Sequence, residues 1–163
     1  MVTDFKQLFK HLADHDVDFV VIGGLALVLR GSSRVTNDLD ICYDRRPENL
    51  RRLSAALLPL QPTLRGAPAT LLFTLDAATI ASGLNFTLST TDGDIDLLGE
   101  VSGLGYYDVA ARLSSEMEVY GRLVKVLSFD GLERAKRAAG RLKDVMDLAD
   151  IIELRRQTEK REE

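Results

Sequence analysis

Two pairs of aspartates alternate with aliphatic residues in this chain, and they constrain its fold more than any other feature. The first pair is Asp38 and Asp40, and the second is Asp94 and Asp96. Asp is disfavoured in β-strands, yet this alternation is typical of a strand with one polar face. Because side chains alternate between the faces of a strand, the two acids of each pair point the same way. If the strands are neighbours, the like charges crowd together unless a cation lies among them or some stay protonated.

A glycine pair, Gly23 and Gly24, directly follows the apolar run 19–22. A strand, two glycines and then a helix expose free backbone N–H groups at the positive end of the helix dipole. Glycine also lets a phosphate approach the backbone closely. The segment is neither a P-loop nor a dinucleotide fingerprint, because both of those glycine patterns are absent. Alone, such a pair is more often a tight turn than a phosphate site, so the carboxylates decide its interpretation.

The acids predict a divalent-cation site beside the glycine turn. Two-metal phosphoryl transfer needs several carboxylates that hold cations about 3.5–4 Å apart, and Asp38 and Asp40 can share such ions. A third carboxylate on an adjacent strand can accept the proton of an attacking hydroxyl. The alternative is that these aspartates face solvent on an open sheet. That alternative explains one alternating pair well and two pairs poorly.

The amino-acid composition excludes several classes of protein. The 163 residues are 45% apolar and 28% charged, which is ordinary globular composition. The lone Cys42 cannot form an intramolecular disulfide, so we expect a reducing, cytoplasmic location. Two histidines and one cysteine offer too few soft ligands for a zinc site. The net charge of −4 argues against a large sequence-independent nucleic-acid surface, and the apolar stretches are too short to span a membrane.

Hydrophobic periodicity predicts an alternation of strands and helices. The predicted strands are 17–22, 38–42, 71–74, 86–90, 95–98, 117–120 and 123–126. The predicted helices are 4–13, 25–30, 46–58, 77–81, 106–113 and a C-terminal run from 129 that Gly140 interrupts. The mixture predicts an α/β (α+β) fold in a single domain over residues 1–163. Its mixed β-sheet core covers about 17–100, and its C-terminal helices cover about 129–157.

Together the motifs resemble the signature of the DNA-polymerase-β-type nucleotidyltransferase superfamily. That signature is a small-residue turn, a spacer and an Asp-x-Asp strand, with a third carboxylate on a later strand. Within the superfamily, the Gly-Gly-x-Ala-Leu form at 23–27 is similar to the AbiEii-like and MenT-like nucleotidyltransferases of toxin–antitoxin systems. The Arg-x-Lys-Asp-x-x-Asp segment at 141–147 is similar to the same group. The turn is Gly-Gly here, where the usual form is Gly-Ser. The likeness covers roughly residues 17–148.

The resemblance implies roles for the residues of the turn and the two strands. The turn, Gly23 and Gly24, would hold the nucleotide phosphates. Asp38 and Asp40 would bind magnesium, with two ions expected. On the later strand Asp96 is the best match for the third metal-binding and catalytic carboxylate. The neighbouring Asp94 is the reserve candidate.

The resemblance also assigns residues outside the sheet. Lys136 would approach the triphosphate, and Asp144 would lie at the edge of the pocket and orient the basic groups. Arg34 and Arg141 are expected to contact the nucleotide. The competing interpretation is that Lys136 and Arg141 belong to a solvated helix face, while Arg34 fits a surface role equally well.

The implied function is the metal-dependent transfer of a nucleotide monophosphate from an NTP to a hydroxyl. The acceptor would be a tRNA end, a protein side chain or a small molecule. The chain would then be a candidate toxin with a cognate antitoxin. The alternative is a non-catalytic nucleotide-binding module, or a toxin or antitoxin partner, that keeps the same fold. A degenerate enzyme has no reason to maintain such a repulsive carboxylate cluster, which favours the enzyme.

Overall fold

A computed structural model describes residues 2–162 of the chain, in which strands and helices alternate. The strands are β1 (Phe19–Ile22), β2 (Asp38–Tyr43), β3 (Thr63–Leu64), β4 (Asn85–Thr90), β5 (Gly93–Leu98), β6 (Glu100–Val101), β7 (Gly105–Tyr106), β8 (Ser114–Val119) and β9 (Arg122–Leu127). The helices are α1 (Phe5–Asp14), α2 (Gly23–Leu29), α3 (Pro47–Leu57), α4 (Ala77–Ser82), α5 (Tyr107–Arg112), α6 (Phe129–Ala139) and α7 (Leu142–Glu162).

Seven of the described strands form a mixed sheet in the order β3-β4-β5-β2-β1-β9-β8. The pairs β1–β9 and β2–β5 are parallel, and the remaining neighbours are antiparallel. Strands β6 and β7 form a separate two-stranded ribbon. Helices contact this sheet, α2 against β2 and α5 against β1, and α6 contacts α7. The predicted α/β fold class with a mixed sheet is therefore confirmed.

The central strands separate a core face from an acidic face. In β5, Ile95 and Leu97 are fully buried, whereas Asp94 and Asp96, which alternate with them, are half-buried. Strand β2 begins with the same alternation. The buried apolar side chains of the sheet and of the helices form a connected core. The period-2 pattern thus buries aliphatic residues on one face and leaves the acids facing a cleft on the other.

The edge of the sheet differs from the prediction. Residues 71–74 were expected to form a strand, but they are irregular, and Leu72 is 98% exposed. The edge position beside β4 is instead occupied by Thr63–Leu64, whose pairing partners are Ser89 and Leu88. A two-residue strand gives too short a pattern for periodicity to detect. The same reason explains why β6 and β7 were not predicted.

Two glycines set the boundaries of helices near the cleft. Helix α2 begins at Gly23 rather than at the predicted Leu25. Gly23 has a φ of +66°, which turns the chain directly out of β1. Gly140 adopts the left-handed conformation with a φ of 65° and ends α6, so the predicted break before α7 is confirmed. Among residues 2–162, no helix is long and apolar enough to cross a membrane.

Candidate active site

Three carboxylates converge on the acidic face of the sheet. In the parallel pairing of β2 with β5, Asp38 is opposite Asp94 and Asp40 is opposite Asp96. One oxygen from each of Asp38, Asp40 and Asp96 lies within 4.8 Å of the others. The predicted convergence is therefore confirmed. Asp94 lies outside this group, and its carboxylate is directed to Arg65.

Burial and mutual repulsion change the protonation of the cluster. Burial, together with the negative charge of the neighbouring Asp96, raises the pKa of Asp40 to about 7. Burial also raises the pKa of Asp96, against the opposing effect of the Arg65 guanidinium. Because the two carboxyls interact strongly, the proton belongs to the pair rather than to one residue. The metal-free cluster therefore stays partly protonated up to about neutral pH.

The donor set fits a hard divalent cation. Asp40 Oδ1 is buried and has no hydrogen-bond partner among residues 2–162. An unpartnered buried carboxylate oxygen is costly, and a cation would satisfy it. Magnesium prefers oxygen ligands such as carboxylates, and no soft ligand belongs to this group. The role of the three residues as metal ligands stays a prediction.

The turn after β1 passes directly beside these acids. A Cβ placed on Gly23 would lie 2.2 Å from Asp40 Oδ2, so no side chain fits there. At Gly24 a Cβ would lie 3.1 Å from Thr36 Oγ1. The N–H groups in the first turn of α2 have no partners within that helix. The sequence thus places backbone donors and the carboxylate cluster in one cleft.

Helices α6 and α7 contribute a lysine held by two carboxylates. Lys136 Nζ lies 2.9 Å from Asp147 Oδ2 and 3.4 Å from Asp144 Oδ1, and its side chain is only 11% exposed. Asp144 also accepts hydrogen bonds from the backbone N–H of Arg141 at 3.1 Å and from its Nε at 2.7 Å. The hydrogen bond from Arg141 lowers the pKa of Asp144 to about 2. The expected pairing of Asp144 with a basic group is present.

Asp147 received no role from the sequence, but it contacts two residues that line the cleft. Its Oδ1 accepts a hydrogen bond from Arg34 Nη1 at 2.5 Å, while its Oδ2 faces Lys136. It therefore joins the loop before β2 to both C-terminal helices. A nearby hydrogen bond from Ser32 Oγ to Asp150 Oδ2, at 2.9 Å, fixes the same loop to α7. Its position as the last acid of the 141–147 segment could have indicated this role.

Arg65 was also missed. Its Nη2 lies 3.0 Å from Asp96 Oδ1, and its Nε lies 3.5 Å from Asp94 Oδ2. The residue follows β3 in a segment rich in proline and glycine, which the pattern marks only as turns. No local signal in the sequence indicates that a side chain from this segment reaches across β4 to the acids of β5.

The predicted site residues all line one cavity of about 430 Å³, a volume within the range of small-ligand pockets. They are Gly23, Gly24, Arg34, Asp38, Asp40, Asp96, Lys136, Arg141 and Asp144. The remaining wall is largely aliphatic and comes from β5, the segment after it, and α6. The cavity thus joins an acidic side on the sheet to a basic side at the C-terminal helices.

Solved structures with the same fold are nucleotidyltransferases. Protein TM1012 from Thermotoga maritima, described as a nucleotidyltransferase, superposes with a TM-score of 0.56 at 16% identity, over 91% of this chain and 90% of that one. The antibiotic-resistance factor ANT(2'')-Ia, in complex with adenylyl-2''-tobramycin, gives a TM-score of 0.56 at 15% identity, over 98% and 97%. No protein-family model and no curated protein matches the chain. The chain therefore has the nucleotidyltransferase fold, while the narrower likeness to AbiEii-like and MenT-like proteins stays a prediction.

Proposed function

We propose that this protein is a metal-dependent nucleotidyltransferase that moves a nucleotide monophosphate from an NTP to a hydroxyl acceptor. The observation that carries the proposal is the convergence of Asp38, Asp40 and Asp96 in the cavity that also contains the Gly23 turn and Lys136. Each feature alone has a structural explanation. Phosphoryl transfer explains why they meet in one cavity, whereas the stability of the fold does not require it.

The reaction assigns a distinct task to each side of the site. The acceptor oxygen attacks the α-phosphorus, its proton passes to Asp96, and the bond from the α-phosphorus to the oxygen bridging the β-phosphate breaks. Pyrophosphate leaves with that bond's electron pair. Magnesium bound by the three aspartates, with two ions expected, would neutralise the triphosphate and stabilise the charge that develops on both oxygens.

The donor nucleotide would lie between the glycine turn and the basic side of the cavity. The backbone N–H groups at Gly23 and Gly24 would bind its phosphates, and Arg34, Lys136 and Arg141 would offset their charge. Lys136 is already held by Asp144 and Asp147. We therefore expect these two acids to fix the direction of the ammonium, so that it is preorganised when pyrophosphate forms.

The acceptor is a tRNA end, a protein side chain or a small molecule. The complex of ANT(2'')-Ia with adenylyl-2''-tobramycin supports a small-molecule acceptor by analogy of fold alone. The motif at 141–147 supports a toxin related to AbiEii-like and MenT-like proteins, with a cognate antitoxin. The lone Cys42 supports a cytoplasmic location.

Labelled nucleotides test the proposal directly. The protein is incubated with each α-labelled NTP, magnesium, total RNA, cell protein and a panel of hydroxylated small molecules. Label on one acceptor class, with pyrophosphate release that EDTA and Asp40→Asn abolish, is the expected result. A melting temperature that rises with magnesium and NTP, but without any transfer, would instead support the non-catalytic nucleotide-binding module.

A further inference from the structure

We propose that Arg65 is a positioning residue that holds Asp96 for the acceptor and marks the side from which the acceptor enters. The inference rests on the proposed function. It concerns a residue outside the motifs and outside the cavity that contains the glycine turn. Arg65 contacts two acids. Asp96 belongs to the carboxylate cluster of Asp38, Asp40 and Asp96, whereas Asp94 lies outside it.

Arg65 is anchored on β4, because its backbone N–H donates to Thr87 O at 2.9 Å and its Nη2 donates to Leu88 O. The guanidinium also makes two ion-pair contacts with the acids of β5. Nη2 lies 3.0 Å from Asp96 Oδ1 and Nε lies 3.5 Å from Asp94 Oδ2, although Nε and Asp96 Oδ1 have no hydrogen-bond partner among residues 2–162. A planar fork with several donors can hold a carboxylate and a carbonyl at once. A lysine ammonium could not reproduce that arrangement.

Two carboxylates on successive positions of one face repel each other and the acids of β2. Asp94 and Asp96 lie on the same face of β5, opposite Asp38 and Asp40 of β2. Arg65 places a positive charge between the two acids of β5. Without it, Asp96 would lose the only positive group that the structure places in salt-bridge range within residues 2–162. Its carboxylate would then be free to turn away from Asp40.

The order of the strands gives a direction to the site. From the glycine turn at the end of β1, the sheet continues through β2 and β5 to β4 and β3, where Arg65 lies. In phosphoryl transfer the attacking and leaving oxygens are roughly in line. If the glycine turn holds the phosphates, pyrophosphate leaves on the β1 side. The acceptor must then enter over β4 and β3, past Arg65.

An open space exists on that side. A second cavity, of about 350 Å³, is lined by Arg65, by Ser89 of β4 and by the segment that follows Arg65, including Phe73. Ser89 is the pairing partner of Asp94. The cavity therefore lies next to Asp94, on the side of β5 away from the glycine turn. An acceptor that extends from this space past Arg65 would bring its hydroxyl to Asp96.

Stability measurements in EDTA test the contact without any activity. Arg65→Gln is compared in the wild-type background and in an Asp94→Asn, Asp96→Asn background. We expect Arg65→Gln to lower the midpoint of urea unfolding in the wild type and to have a much smaller effect when both acids are neutral. Additive effects would show that Arg65 does not hold the acids, and would overturn the inference.

Kinetics test the role. Pyrophosphate release is measured with the preferred NTP, magnesium and the mixture of acceptors, with the exposed Arg112→Gln on α5 as the matched control. We expect Arg65→Gln to lower kcat at least about tenfold with little change in KM for the NTP, and Arg65→Lys to restore part of it. Loss through a raised KM for the NTP, or activity equal to that of Arg112→Gln, would overturn the inference.

The same experiment separates the two hypotheses. If the wild type releases no more pyrophosphate than Asp40→Asn, the proposed function fails and this inference fails with it. If the wild type is active and Arg65→Gln matches it, the proposed function stands and only the role of Arg65 is wrong.

Discussion

Two groups of aspartates at the cleft have opposite electrostatic surroundings. On β2 and β5, Asp40 and Asp96 lie side by side, and Asp40 Oδ1 has no hydrogen-bond partner within residues 2–162. On α7, Asp144 and Asp147 share Lys136, and each has an arginine partner as well. The pKa of Asp40 is raised to about 7, whereas the pKa of Asp144 is lowered to about 2.

The difference shows that buried acids serve two purposes within one site. A carboxylate surrounded by cations and hydrogen-bond donors stabilises the folded chain, because its charged form is favoured. A carboxylate crowded by other carboxylates destabilises the metal-free chain, and such arrangements are typical of functional sites. Under the proposed function, the sheet would provide the reactive group, and the C-terminal helices would provide a charge-balanced wall opposite it.

The largest expected effect on activity comes from neutralising Asp40, one of the crowded acids of the sheet. Asp40→Asn should reduce transfer by at least about a thousandfold, equivalent to about 4 kcal/mol of transition-state stabilisation. In EDTA near neutral pH its melting temperature should equal or exceed that of the wild type, because one like charge has been removed. The exposed Asp108→Asn serves as the control for both measurements. If Asp40→Asn melts well below the wild type in EDTA, the acids of the sheet serve structure and the comparison fails.

The second effect concerns Lys136, which pairs with Asp144 and Asp147. Lys136→Ala should weaken nucleotide binding or turnover at least about tenfold, or about 1.4 kcal/mol, because its ammonium offsets triphosphate charge. Arg137→Ala is the matched control, since Arg137 is exposed and pairs with Glu133 of its own helix. It should change neither quantity. Small and equal effects of both substitutions, assayed well below the melting temperature, would show that α6 is an ordinary charged helix.

The third effect is on the stability of the metal-free protein, to which Asp144 and Asp40 should contribute with opposite sign. Asp144→Asn should lower the free energy of unfolding in EDTA by about 1–2 kcal/mol, because charge-assisted hydrogen bonds to Arg141 and the pairing with Lys136 are lost. Urea unfolding measures this change. The exposed Glu153→Gln, which also removes an ion pair on α7, should change the free energy of unfolding far less. A loss no larger than that control would remove the contrast with Asp40.

The sheet acids could be predicted because their signal is local. Alternation gives the face of each acid, and a strand–glycine–helix sequence gives the turn beside them. Gly140 likewise marks the end of α6 through the backbone conformation it adopts. The register that brings Asp96 rather than Asp94 into the cluster is a tertiary property. It depends on how β2 aligns with β5, and no single strand encodes it.

The missed parts depend on contacts between distant segments. Arg65 contacts the acids from an edge segment whose sequence predicts only turns, while the strand predicted at 71–74 is irregular in the structure. Asp147 belongs to a predicted helix, but its partners Arg34 and Lys136 come from elsewhere in the chain. Short strands and long-range ion pairs leave no periodic pattern, so sequence reasoning had no basis for them.

The smallest expected effect is a difference in pH dependence in EDTA. A carboxyl whose pKa rises on folding binds protons more tightly in the folded chain, so its contribution to stability falls as pH rises from 3.8 to about 7. Asp144 has a lowered pKa, so its contribution is complete above its ordinary value of 3.8 and is lost as pH falls towards about 2. The stability of Asp40→Asn should therefore match that of the wild type near pH 3.8 and exceed it increasingly towards neutral pH. Asp144→Asn should show its full deficit near neutral pH and lose that deficit only in strong acid. Urea midpoints measured from about pH 2 to about pH 7 check both trends. Two curves that stay parallel to the wild type over that whole range would show that neither carboxyl is perturbed.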